Sequence, residues 1–143
     1  MIQQIIDAIV MALFNEFGNN YTYYTDFVAQ NMDTPSFMVL PISELDMREI
    51  GIRHSITVPI EIKYFPSDKS YSERILLSER LRTAIESLAI GGYIYHPTDV
   101  ECQYIDDVLV VTLNVNYSVF EDNGSGTVED GTMTTNTINL EIE

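Results

Sequence analysis

Basic residues are few and confined. Seven Lys and Arg stand against 22 Asp and Glu, for a formal net charge of −15 at pH 7. A chain of that charge repels nucleic acid and anionic membrane surfaces, so a DNA- or lipid-binding role is disfavoured. Cysteine is nearly absent as well. The single Cys102 excludes an internal disulfide, and with it the stapled framework of small secreted domains. His54 and His96 are the only two histidines, so ordinary general bases are scarce. No P-loop, HExxH, CxxC or G-x-S-x-G motif occurs. Long apolar runs are missing too. "AIVMALF" near the start is far short of a bilayer span. The opening residues lack a basic region and carry Asp7 and Glu16, so no secretion signal is expected.

What remains is a chain of 143 residues, 45% hydrophobic, long enough for one domain with a real core. Ile2, Ile5, Ile6, Ile9, Val10, Leu13, Phe14 and Phe17 recur at helical spacing, and Gly18 supplies a stop. "YTYYTDFV" and "SFMVLPI" read as strands, with Pro41 at an end or edge, and "SELDMRE" reads as a polar connection. From His54 the alternation is strict. Ile56, Val58, Ile60, Ile62 and Tyr64 share one face, and Pro59 predicts an edge or a bulge.

The stretch "EIKYFPSDKSYSE" ends that strand and restarts the chain as a helix. Ser70 and Glu73 have capping-box spacing, and Leu77, Leu81, Ala84, Ile85 and Leu88 supply a stripe predicted to end at Gly91–Gly92. "VECQYI" and "VLVVTLNVNYSVF" then flank a tight turn at Asp106–Asp107. The expected fold is α+β: about four to six largely antiparallel or mixed strands, with two amphipathic helices on one face. Residues 1–120 form the expected domain. Residues 121–143 read as an acidic arm ending in a strand, marked by Ile138, Leu140 and Ile142.

Chemistry is thin along this frame. His54 begins a strand and His96 precedes Pro97, and both read as surface or turn histidines. Cys102 alternates with Val100 and Tyr104 as a small core residue. Glu121, Asp122, Glu129 and Asp130 fit no standard calcium loop and read as a solvated acidic turn. Tyr21, Tyr23 and Tyr24 lack the nearby bases that stacking on nucleic acid needs, so they read as strand packing. No catalytic residue, cofactor or metal is expected.

The order of an amphipathic helix, "YTDFVAQNMDTPSFMV", "VPIEIKYFPSD", "ERLRTAIESL" and "CQYIDDVLVVTLNVNY" resembles small tail terminator (tail completion) proteins of phages and prophages of Gram-positive hosts. The resemblance spans roughly residues 1–120. It implies a non-enzymatic virion protein that assembles into a ring, typically a hexamer. That ring caps the head-proximal end of the tail tube, stops polymerisation and meets the head–tail connector. It also implies assembly in the host cytoplasm. The acidic segment after Phe120 departs from the family pattern and reads as an arm that reaches a neighbour, the tube or a sheath. The acidic charge suits a channel that DNA traverses without being bound. Other phage joints, such as a connector or a baseplate adaptor, share much of this pattern. A small hydrolase or ligand-binding domain is the reading from a different class.

The charge map bears on assembly. Residues 1–47 carry net −6, residues 48–82 net +2, and residues 83–143 net −11. The bases Arg48, Arg53, Lys63, Lys69, Arg74, Arg80 and Arg82 are therefore expected at subunit interfaces, facing acidic surface on the next copy. Ile138, Leu140 and Ile142 are expected either to join them, through addition of the arm to a neighbour's sheet, or to pair with the chain's own sheet.

Overall fold

The computed structural model describes residues 1–27, 32–49, 51–67, 70–122, 126–128, 130–131, 133–135 and 138–140, with side chains as far as Phe120. Helix α1 (Ile2–Phe17) buries Ile5, Ile6, Ile9, Leu13 and Phe17, the stripe that its spacing predicts. Phe14 departs from it and stays exposed on the flank, edge-on to Tyr23 at 5.9 Å. Gly18 ends the helix with φ 82°, and its N–H reaches the Phe14 carbonyl.

Three strands follow: β1 (Thr22–Tyr24), β2 (Ser36–Pro41) and β3 (Leu45–Arg48). The polar connection expected at "SELDMRE" is thus itself a strand. It carries no apolar alternation strong enough to stand out, and forms because β4 (Arg53–Phe65) offers it a ladder from Leu45–Thr57 to Arg48–His54. After β4 come α2 (Tyr71–Ala84), β5 (Leu88–Ile90), β6 (Tyr93–Tyr95), β7 (Thr98–Ile105) and β8 (Val108–Asp122). The backbone then forms β9 (Gly126–Val128), β10 (Asp130–Gly131), β11 (Met133–Thr135) and β12 (Ile138–Leu140).

The main sheet runs β1-β2-β4-β8-β7, with β3 added beside β4 and β9 beside β8. All its pairings are antiparallel except β1 with β2. The α+β class expected from the sequence is the one observed. Both helices bury their apolar sides in the same cluster as Val58, Ile60, Ile62, Val111, Leu113 and Val115 of the sheet. The opposite sheet face is mixed: Met38 and Val110 are buried on either side of Lys63, and polar side chains join near Thr57. Thr57 donates to Asn116 at 2.8 Å, Asn116 to Thr98 at 3.0 Å, and Asn114 to Asp99 at 3.0 Å.

Pro59 corrects an expectation. It lies in the central strand, opposite Asn114, and the β4–β8 ladder is continuous from Arg53 to Tyr64. Its carbonyl accepts from Ile42 N–H at 2.8 Å, so its backbone polar positions face β2 and β3. There β2 stops at Pro41, opposite Ile60, and β3 resumes at Leu45, opposite Thr57. The missing N–H falls in that seam, where no ladder bond is lost.

Helix α2 is also shorter than its stripe. Ser70 Oγ accepts from Glu73 N–H at 3.2 Å, as the capping spacing predicts. The helix ends at Ala84, however, and Leu88 already belongs to β5. Gly91 and Gly92, with φ 60° and 88°, form the two-residue turn between β5 and β6 and do not cap a helix. Consecutive left-handed residues match the twist of a tight hairpin, which makes "LAIGGYIY" a hairpin signal.

Candidate functional site

The joint between β4 and α2 is a structural lock. Tyr64 is fully buried and its hydroxyl donates to Glu73 Oε2 at 2.6 Å, tying the strand's end to the helix's first turn. Around it Phe37 collects rings: Phe17 at 5.0 Å, Tyr64 at 5.1 Å, Tyr21 at 5.5 Å and Tyr23 stacked at 5.6 Å. Tyr23 also donates to the Gly18 carbonyl at 2.7 Å, and burial, with Tyr21 beside it, pushes its phenol pKa up. Tyr21 and Tyr23 therefore act in packing.

The two histidines stand apart from each other and from the groove between the helices. His54 Nδ1 lies 3.0 Å from Asp46 Oδ1, across the β3–β4 ladder at the sheet's border. His96 Nδ1 meets the Glu86 carbonyl at 3.2 Å. The groove, about 360 Å³, lies between α1 and the α2–β5 segment and is lined by Ala8, Met11, Ala12 and Leu88, and neither histidine reaches it. Cys102 is half-buried against the core. Burial pushes its thiol pKa up, the Arg82 charge pulls against that, and Glu101 adds to it. Among the described residues no group of three His, Cys, Asp or Glu side chains could hold a metal ion.

The bases expected at interfaces divide in the structure. Arg74 is 1% exposed and works inside the subunit. Its guanidinium donates to the Asp106 carbonyl at 2.9 Å and sits 4.3 Å over the Tyr71 ring, so it clamps the β7–β8 turn and is unavailable as a surface group. Arg80 joins the helices, bonding the Glu16 carboxylate and carbonyl at 2.9 Å each and covering Phe17. Arg53 pairs with Glu49 at 3.1 Å and Lys63 approaches Glu61 at 3.8 Å. Arg48 bonds the Gly51 carbonyl, and Arg82 is exposed beside Cys102. Lys69 and Ile142 lie outside the described residues. For Ile138 and Leu140 the backbone alone is described, in β12.

Large exposed apolar side chains are spread over the described residues, with Met11 and Phe14 on α1 and Ile94 on β6 among them. Around β3 stand Ile42, Leu45, Met47 and Ile52. Along α2 and β7 stand Tyr71, Ile75, Leu76, Val100, Tyr104 and Ile105. Periodicity did not point to them, because residues that leave a buried stripe read as noise.

The sequence model of the phage tail terminator protein family matches residues 4–127. The chain belongs to the phage tail terminator family. No curated protein matches it. Membership makes this a structural protein of the phage tail, one that meets other tail or head proteins. No helix among the described residues of this tail terminator is long and apolar enough to cross a membrane.

Proposed function

We propose that this tail terminator assembles with copies of itself into a ring, a hexamer, that caps the head-proximal end of the tail tube. The ring ends tube polymerisation and presents its other face to the head–tail connector. The family match over residues 4–127 carries this reading, and exposed apolar side chains on β3, α2 and β7 support it. The protein acts by docking and transforms no substrate. In this reading residues 1–120 are the assembling domain. The acidic arm, 121–143, reaches a neighbouring copy, the tube or a sheath protein, and uses Ile138, Leu140 and Ile142 to add a strand. Assembly takes place in the cytoplasm of a Gram-positive host, the class that the sequence resemblance implies. DNA passes through the ring unbound, since a wall carrying excess carboxylates gives phosphates few cations to displace counterions.

Mixing the purified protein with its tube protein during polymerisation tests the proposal. The expected result is rings in isolation and shorter tubes, each with a cap at one end. Tubes of unchanged length without caps would refute it. Rings found only at the baseplate end would move the protein to an adaptor role.

A further inference from the structure

The acidic arm returns to the strand it leaves. β8 pairs with β7 as far as Asn114 and with β9 from Phe120. After β9 the backbone turns through β10, β11 and β12, which pair with one another in that order. β11 and β12 both lie against β8 of the same chain. Ser118 stands between the β7 and β9 ladders and is fully buried. It shares its side of the sheet with Asn116, away from the core cluster under the helices, so neither helix supplies its cover. The same end of the sheet carries Arg53, opposite Phe120, and Arg48, opposite His54. They balance Asp46 and Glu49 there, which makes this end neutral in an otherwise acidic chain. The tract from Glu121 to Glu143 holds six acids and no base, so it meets less repulsion here than against the base-free stretch from Thr83 to Phe120.

We infer that the arm of the free subunit is stored on its own β8, as a strap over the Ser118 side of the sheet, and that assembly transfers it to the next copy. Tethering sets the order of events. A segment joined to its site by a short connection meets that site at an effective concentration on the order of a millimolar. A dilute free chain therefore closes on itself. Copies gathered at the end of a tube stand at comparable local concentration. The strand then exchanges without any new surface, because the accepting β8 is the same on every copy. The storage concerns the single chain and stands without ring formation, whereas the transfer rests on the function proposed above.

Hydrogen exchange and paramagnetic broadening test it on the full chain, diluted until sedimentation shows single chains. Amides of β11 and β12 are expected to exchange about tenfold or more slower than in an unstructured peptide of the same sequence. For the second measurement a nitroxide is attached at Asn139→Cys in a Cys102→Ser background. With nitroxide and isotope label on one chain, β8 amides from Val115 to Phe120 are expected to lose intensity. With nitroxide on one chain and isotope label on another, they are expected to keep it until tube protein is added and rings form, and to lose it then. Arm amides that exchange as fast as the peptide, or broadening that occurs only between chains in the dilute sample, would overturn the storage and leave the ring standing. Same-chain broadening that persists in the assembled ring, with none between chains, would overturn the transfer alone. Storage in a chain that forms no ring with tube protein would refute the function proposed above and keep the strap.

Discussion

Arg74 does at the residue scale what a small hydrophobic residue could not. Its guanidinium holds the Asp106 carbonyl at the β7–β8 turn and lies over the Tyr71 ring. Substitution by Met would leave the Asp106 carbonyl without that donor. Arg74→Met is expected to lower the unfolding free energy by about 2–3 kcal/mol, the range for a charge-assisted bond lost from a buried site, as read by urea denaturation. Tyr64→Phe should cost a similar amount, about 1.5–3 kcal/mol, because the Glu73 carboxylate loses a 2.6 Å donor. Cys102 gives a pH prediction. Its thiol pKa is raised by burial, so the unfolded chain ionises first as pH rises. The associated stability is complete below the ordinary thiol range and declines as pH passes through it. Cys102→Ser should flatten that alkaline decline, and alkylation of native Cys102 should lag behind that of a free thiol at the same pH.

Elements in this fold are held by their ends. Ser70 accepts the Glu73 N–H, while the Glu73 carboxylate turns to Tyr64, so one helix start is joined to both the capping residue and the strand before it. Ser70→Ala is expected to cost about 1 kcal/mol. The β5–β6 hairpin depends on two left-handed residues. A Cβ at Gly92 would meet no atom within 4 Å, so the penalty for Gly92→Ala is backbone strain alone, roughly 1–2 kcal/mol in thermal or urea unfolding. β4 shows how an element takes its place from its neighbours. A strand containing proline is central here because β2 and β3 divide its flank between them at Pro59.

For the whole molecule, charge opposes association and apolar surface promotes it. Every copy carries formal net charge −15, while Arg53, Lys63, Arg74 and Arg80 are engaged within the subunit. Intermolecular ion pairing therefore has little to draw on. Salt should screen the repulsion between copies more than it weakens their contacts, so self-association is expected to tighten between about 0.05 M and about 0.5 M NaCl. Sedimentation across that range checks it, and dissociation at high salt would restore charge pairing as the driving force. No binding to duplex DNA is expected at physiological salt, as measured by fluorescence anisotropy.

Two periodicities determined much of this protein before any contact was known. The stripe from Ile5 to Phe17 and the alternation from Ile56 to Tyr64 each identify a buried side, because local geometry alone sets which side chains share a face. They are enough for an α+β domain, and the order of its segments carries the likeness to tail terminators. Tertiary structure decided the rest. Whether Pro59 lies at an edge or in the centre, where α2 stops, and whether Arg74 faces water or a turn carbonyl all depend on which distant segment lies alongside. The placing of β3 and β7 belongs to that second class, since it depends on which strands lie between them.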